Sequence, residues 1–355
     1  MLNRRVAAQC HILRMLNGQG KHLSFHTPGH KRSGADITEL SYSDNLSSPR
    51  GVIARAEEDV AKILGAKRSF LLTDGSTSGV YAMLYALRTA GCKRIAVPAF
   101  SHISVKHGCE LTGLLPVWIA QRKTLGIPVQ PVREELERGL RDADALLLTS
   151  PDYYGNAAPL AAARDLCTAA GKPLVIDGAH GSHLHFTRLH AGKYADLWVD
   201  GAHKSLPALT QGAVVSAGGD RWAELLGASV VRFRTTSPSY PILASVEYAV
   251  KYPRNQAIER AAEELKRQLG AYPNDDWSKM ILPFGELAGE AQQALEARGI
   301  YPEFNDGNYL CFYLSPCTKI GELKKLEAAL RGLPRGEAAE EGEEPAPYGC
   351  DMLWK

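Results

Sequence analysis

The sequence predicts an α/β fold: a large domain on a mainly parallel sheet, followed by a small α+β C-terminal domain. Three observations carry this. Short apolar runs near Arg94–Pro98, Leu114–Trp118, Ala145–Thr149, Leu174–Asp177 and Ala195–Val199 alternate with helical segments, as strands joined by crossovers do. The separation of two strand-end residues, Asp177 and Lys204, is close to the ~30 residues of one strand-crossover-strand step. Beyond a long amphipathic stretch from about Asn255 to Leu269, two further strands, Ser278–Leu282 and Tyr309–Leu314, are each followed by a helix.

Length and composition narrow the function. At 355 residues the chain can bury a full core in a large and a smaller domain. Its 41 Lys and Arg nearly balance 39 Asp and Glu, a net charge of +2, which argues against nucleic acid or an anionic membrane as partner. A small-molecule substrate is expected. Seven scattered cysteines without a Cys-x-x-Cys suggest neither a disulfide framework nor a thiolate zinc site. The first residues lack the apolar core of a signal peptide, and no run approaches the roughly 20 apolar residues of a membrane span. The expected location is the cytoplasm.

Taken in order, residues 1–50 form a helix and loop segment. Val6, Cys10, Leu13 and Leu16 suit one short amphipathic helix over 1–20, and the loop from Phe25 to Gly34 is rich in His, Gly and basic residues, as binding loops and plain solvated loops both are. The large domain covers 51–254. It opens with a helix from Val52 to Leu64, a strand from Arg68 to Thr73, the turn Asp74-Gly75-Ser76-Thr77-Ser78-Gly79 and a helix from Val80 to Ala90. Backbone amides, the helix dipole and the hydroxyls of Ser76, Thr77 and Ser78 suit an anion there; ordinary N-capping accounts for them equally well. His102, after the second strand, is placed to lie against a cofactor ring or to cap a helix, and Ser150 to Gly155 form another candidate rim. A polar turn over Arg234–Pro241 leads to a helix from Ala244 to Tyr252. The small domain spans 255–335, with helices near Gly289–Arg298 and Ile320–Leu330, and 336–355 reads as a solvated acidic tail.

Lys204 lies in Asp200-Gly201-Ala202-His203-Lys204-Ser205, between two apolar strands. Desolvation disfavours the ammonium form, which gives an amine able to bond a carbonyl carbon. A surface lysine at a strand end is the plainer alternative. Asp177 ends an apolar strand and is followed by Gly178-Ala179-His180-Gly181. At the carboxyl edge of a parallel sheet, a carboxylate can keep a pyridinium nitrogen protonated. Asp177, His180, His183 and His185 also offer a rival metal-ligand set, but that reading leaves Lys204 and the hydroxyl turn without a role, so no metal is expected.

These stretches, with Phe25-His26-Thr27-Pro28-Gly29-His30-Lys31, Ser101-His102, Leu209-Thr210-Gln211 and Thr236-Ser237-Pro238-Ser239-Tyr240, follow one another as in the Orn/Lys/Arg decarboxylase family. The chain resembles that family from about Phe25 to Leu330. The resemblance implies a PLP-dependent transferase-like fold (fold type I) and pyridoxal 5'-phosphate as cofactor. It implies Lys204 as Schiff-base lysine, Asp177 as partner of the pyridine nitrogen, and His102 and Ala179 on the two ring faces. Ser76, Thr77 and Ser78 would hold the phosphate, with His180 and His203 also in the cofactor set and His203 a proton donor. Thr235 or Thr236 would reach the phosphate of a neighbouring subunit, which implies a homodimer or higher homo-oligomer. The implied reaction removes the carboxylate of lysine, ornithine or arginine as carbon dioxide. Gly201 stands where the family has a serine phosphate ligand. The chain ends at Lys355 without the Tyr-Pro-Pro-Gly segment of the family's C-terminal domain, so a short form lacking that domain is expected. The alternatives are a lyase or aminotransferase-type relative with another amino-acid substrate, a catalytically impaired cofactor-binding homologue, and a binding protein on the same fold.

Overall fold

A computed structural model describes residues 3–20, 23–31 and 34–336. The acidic tail expected over 336–355, apart from Gly336, lies outside the described residues, as do Arg32 and Ser33 of the His-rich loop. Among the described residues the strands are β1 Arg68–Leu72, β2 Arg94–Pro98, β3 Leu115–Ile119, β4 Lys123–Thr124, β5 Ile127–Pro128, β6 Ala145–Thr149, β7 Leu174–Gly178, β8 Leu197–Asp200, β9 Ala213–Ala217, β10 Lys279–Pro283, β11 Phe304–Asn305 and β12 Tyr309–Tyr313.

Seven of them form one sheet in the order β1-β9-β8-β7-β6-β2-β3. Strands β2, β3, β6, β7 and β8 are mutually parallel, while β9 runs against both β8 and β1. Only β9 is therefore reversed, and the carboxyl ends of the other six lie along one edge. The strands read as continuous apolar runs because both faces are covered. Leu146, Leu148, Leu174, Ile176 and Trp198 join one core. Their neighbours Ala145, Leu147, Val175, Leu197 and Val199 join the other, the alternation that a pleated strand imposes.

Local differences from the sequence expectation have tertiary causes. The single helix expected over 1–20 is two, Arg4–Gln9 and His11–Asn17, separated by Cys10 in an extended conformation. The carboxylate of buried Glu247 accepts the amide hydrogens of His11 and Ile12 at 2.6 and 2.9 Å, an N-cap supplied from 235 or more positions away. The hydroxyl turn is not separate from the helix after it: the helix runs from Gly75 to Thr89, so Ser76, Thr77 and Ser78 form its first turn. The helix expected from Ala244 begins at Tyr240, with Pro241 in its first turn. No element is expected between β9 and Phe233, yet Asp220–Phe233 is a helix that buries Trp222, Ala223, Leu226 and Val230.

The second sheet, β10-β12-β11, is antiparallel. One face, carrying Met280, Leu282, Leu310 and Phe312, packs under the helices Gln256–Gln268, Ala288–Glu296 and Ile320–Arg331. The opposite face, through Ile281, Tyr309 and Cys311, packs on Tyr154, in the loop after β6, and on Ile127 of the small β4-β5 hairpin. This brings the start of β10 close to the edge where the large sheet's strands end. Among the described residues no helix is long and apolar enough to cross a membrane.

Candidate active site

The turn Ser76-Thr77-Ser78, His102, Asp177 and His203-Lys204 lie at or just past strand ends along that common edge, whereas the loop at Phe25–Lys31 and the segment Thr236–Tyr240 follow no strand. Asp177 is next to last in β7, 3 % exposed, and registers with Thr149 of β6. Its Oδ1 accepts the amide hydrogen of Ala179 at 3.1 Å, and Oδ2 has no hydrogen-bond partner among the described residues. One strand over, β8 leads through Gly201 into the short helical turn Ala202–Ser205, which carries His203 and Lys204.

Lys204 is half-buried, and burial lowers the pKa of its amine, opposed by the charges of Asp177 and Glu303. Its Nζ lies 3.1 Å from Nε2 of His180. Burial, together with the charges of Lys204 and Lys279, holds His180 well below the usual imidazole range, so its ring is neutral. An ammonium at Lys204 then donates to Nε2, and the imidazole proton resides on Nδ1. His180, grouped by resemblance with the cofactor residues, is thus the side chain that fixes the amine. His203 is tethered twice to Gly212, the residue before β9: its amide and its Nδ1 both donate to the Gly212 carbonyl at 3.0 Å, which leaves Nε2 as the acceptor nitrogen. Burial lowers its pKa as well.

His102 does cap a helix. Its Nδ1 accepts the amide hydrogen of Ser104 at 3.2 Å and lies 2.8 Å from the Ser104 hydroxyl, at the start of the helix Ile103–Thr112. Burial lowers the pKa of this imidazole, and the charge of Asp177 opposes the shift. Beside β1, the amide of Gly75 donates to Gln211, and the Ser78 hydroxyl donates to the Gly75 carbonyl at 2.9 Å. As at any helix start, the amides of Ser76 and Thr77 have no acceptor within the helix. Thr235 lies beside this turn through its own chain: its amide donates to Asp74 Oδ2 at 3.2 Å, while Thr236 is exposed.

The donor set suits pyridoxal phosphate: a desolvated amine, a buried carboxylate with an unbonded oxygen, and a first helical turn of hydroxyls and amides, at the carboxyl ends of β8, β7 and β1 along one sheet edge. It does not suit the rival metal set. The 3-10 turn Ser182–Phe186 points its histidines apart: His183 Nε2 lies 2.8 Å from Asp276 Oδ1, and His185 stacks on Phe186. Among the described residues the one His, Cys, Asp or Glu group with converging ligand atoms is His11, Asp59 and Glu247, and Lys251 already donates to both of those carboxylates. Breaking the fully buried His183–Asp276 pair with Asp276→Ala is expected to cost about 3–5 kcal/mol, read from urea midpoints against wild type.

Gly201, where the resemblance led to an expected serine, has a steric reason. A Cβ there would lie 2.5 Å from the carbonyl oxygen of Ala179, backbone that cannot rotate away. Gly201→Ser is expected to destabilise the fold by ~1–3 kcal/mol and not to add a phosphate ligand. A melting temperature equal to wild type would contradict this.

Four residues near the amine had no sequence assignment to the site: Lys279 on β10, Glu303, Tyr313 on β12 and, as more than a rim, Tyr153. The rings of Tyr153 and Tyr313 stand edge-on to His180 at 5.1 and 5.8 Å. One signal was available for Lys279, a lysine within the apolar run Ser278-Lys279-Met280-Ile281-Leu282.

A family model described as Orn/Lys/Arg decarboxylase, major domain, matches residues 20–272. The chain is 33 % identical over 282 residues to the uncharacterized protein YaaO of Bacillus subtilis (strain 168), covering 69 % of this chain and 56 % of that one. It is 29 % identical over 293 residues to the arginine decarboxylase of the same strain, covering 72 % and 58 %. The chain therefore spans a little over half the length of these relatives. Among solved structures, the lysine decarboxylase LdcF of Francisella novicida superposes with a TM-score of 0.77 at 17 % identity, over 91 % of this chain and 59 % of that one. A structure of SPT with PLP gives 0.62 at 16 % identity, over 79 % and 75 %. At these identities the structures bear on the fold, which is of type I.

Proposed function

Because the chain belongs to the Orn/Lys/Arg decarboxylase family, we propose that it is a pyridoxal-phosphate-dependent carboxy-lyase. Its substrate is lysine, ornithine or arginine, and its products are the amine and carbon dioxide. The observation that carries this reading is the placement of Lys204, its amine desolvated and fixed at 3.1 Å by a neutral His180, on the strand end next to that of Asp177. An arginine decarboxylase among the relatives and a PLP-bound structure of the same fold support it.

Pyridoxal phosphate, when bound, supplies a cationic ring that draws in the electron pair left at the α-carbon as the carboxylate departs. The chain's own residues do the rest. Lys204 would hold the aldehyde carbon, Asp177 would hold the ring nitrogen in its protonated state, and the turn Ser76-Thr77-Ser78 would hold the phosphate. His102 and Ala179 would flank the ring. His180 keeps the Lys204 amine aimed, and Nε2 of His203 can carry a proton to or from the α-carbon while Nδ1 stays on Gly212. Burial of Asp177 and His180 takes these two groups out of water, which strengthens the charge contacts they make. We further propose cytoplasmic location, a two-domain division near residue 255, and a homodimer in which the segment around Thr236, exposed in one chain, faces the neighbouring subunit.

The test is uptake of pyridoxal phosphate followed by turnover. The protein is expected to bind the cofactor, to retain it on the Lys204 peptide after borohydride reduction, and to release carbon dioxide from at least one of the three amino acids. Cofactor retention without carbon dioxide from any of them would replace decarboxylation by a transaminase-type or impaired activity. A protein that takes up no cofactor would sink the reading.

A further inference from the structure

We propose that Arg234, paired with Glu57, is a positioning residue for the cofactor: it sets the turn Ser76-Thr77-Ser78 where that turn can grip a phosphate, an inference that rests on the function proposed above. The turn follows β1, the outer strand of the large sheet, which has β9 on one side and, among the described residues, no strand on the other. A row of its backbone groups therefore lacks a strand partner. At Leu71, side chains stand in for the missing strand. Glu57, on the helix Val52–Leu64, accepts the Leu71 amide hydrogen at 3.1 Å, and Nη1 of Arg234 donates to the Leu71 carbonyl at 3.2 Å. The same Nη1 donates to Glu57 Oε1 at 3.1 Å, which closes the clamp.

Both residues are buried, Glu57 6 % and Arg234 7 % exposed. Burial raises the Glu57 carboxyl to about 6 against the pull of Arg234, so at neutral pH a carboxylate faces the guanidinium. Taking two such charges out of water costs about as much as their attraction returns, and an apolar pair of similar volume holds a fold as well. An apolar pair cannot bond both backbone groups of Leu71. What the ions supply is position.

The place they fix is three residues before Asp74, the N-cap of the helix that begins at Gly75. The chain beyond Arg234 closes onto the same point, since the Thr235 amide donates to Asp74 Oδ2 at 3.2 Å. Nη2 of Arg234 donates to the Leu46 carbonyl, and the carbonyl of nearby Asp44 accepts the Tyr240 hydroxyl at 2.6 Å. The segment 234–240 is thus anchored at both ends to the stretch Asp44–Leu46, beside the turn. Arg234 is turned inward on Glu57, Leu71 and Leu46, so it acts through the turn and not on the phosphate itself. A phosphate held by amides and hydroxyls depends on their aim, because a displacement of about 1 Å takes a donor out of hydrogen-bond range. Asp177 and Lys204 lie on the β7 and β8 side, with β9 between them and β1, so the contacts to the ring are spared. Loss of the clamp should fall on the phosphate alone.

The experiment compares wild type with Arg234→Lys, which replaces the flat fork by a point charge, and Glu57→Gln, which keeps an acceptor for Leu71 and discards the charge. Each protein, freed of cofactor, is titrated with pyridoxal phosphate and with pyridoxal, which lacks only the phosphate, and binding is read from the visible absorbance. Wild type is expected to bind pyridoxal phosphate the more tightly. Both variants should lose about tenfold or more in affinity for pyridoxal phosphate and change less than about twofold for pyridoxal. A loss of the same size for pyridoxal, or no loss for either ligand, would overturn the proposal. Should one variant fail to fold, the other decides. Carbon dioxide release from lysine, ornithine and arginine is followed in the same wild-type samples. Cofactor uptake without release overturns decarboxylation and leaves the Arg234 result standing, whereas normal release with an unchanged phosphate preference in the variants overturns Arg234 alone. A wild type that takes up neither pyridoxal phosphate nor pyridoxal overturns both.

Discussion

Lys204→Ala is expected to lower turnover by ~10³-fold or more, the order of loss when a covalent nucleophile is removed. Its melting temperature should stay within about 3 °C of wild type. The two expectations separate because of where the side chain sits. Lys204 makes one side-chain hydrogen bond, to His180, and its amine is held against the preference of burial for the neutral form. Removing it relieves desolvation about as much as it forfeits contact, so the fold loses little. The chemistry loses the amine that the strand ends are arranged around. Turnover within tenfold of wild type in a folded variant would remove Lys204 from the mechanism.

Asp177→Asn keeps the shape of the side chain and discards its charge. Turnover is expected to fall by ~10²–10³, the usual cost of losing one preorganised electrostatic partner. Retention of the cofactor should weaken as well. A second readout does not depend on turnover. The imidazole of His102 has a pKa lowered chiefly by burial, and the Asp177 carboxylate is the charge that opposes the shift. With that charge gone, His102 should hold its proton less well. Its titration, followed by the ring-proton NMR signal, should then move further down in pH. An unmoved His102 titration would mean that the two groups do not share one electrostatic environment.

The same physics says which features could be read in one dimension. Strands such as Ala145–Thr149 and Leu174–Gly178 are apolar throughout because a parallel sheet is covered on both faces, and that pattern is written locally. Asp177 and His203-Lys204 interrupt or end such runs, so their placement at strand ends was visible too. The break at Cys10 was not, because its cause is the carboxylate of Glu247 reaching back to two amides. Nor was the true start of the helix at Gly75, where the hydroxyl residues that looked like a turn lie within its first turn.

By itself, then, the sequence determined the α/β alternation, the strand-end positions of Asp177 and Lys204, and through ordered motifs the family. Only the tertiary structure decided the reversal of β9, the apposition of His180 to the Lys204 amine, the glycine at 201, and the arrival of Lys279 and Tyr313 from the second sheet. Side-chain periodicity states which face of its own strand a residue takes. It carries no record of which other strand that face will meet, because that choice is made by packing between segments far apart in the chain.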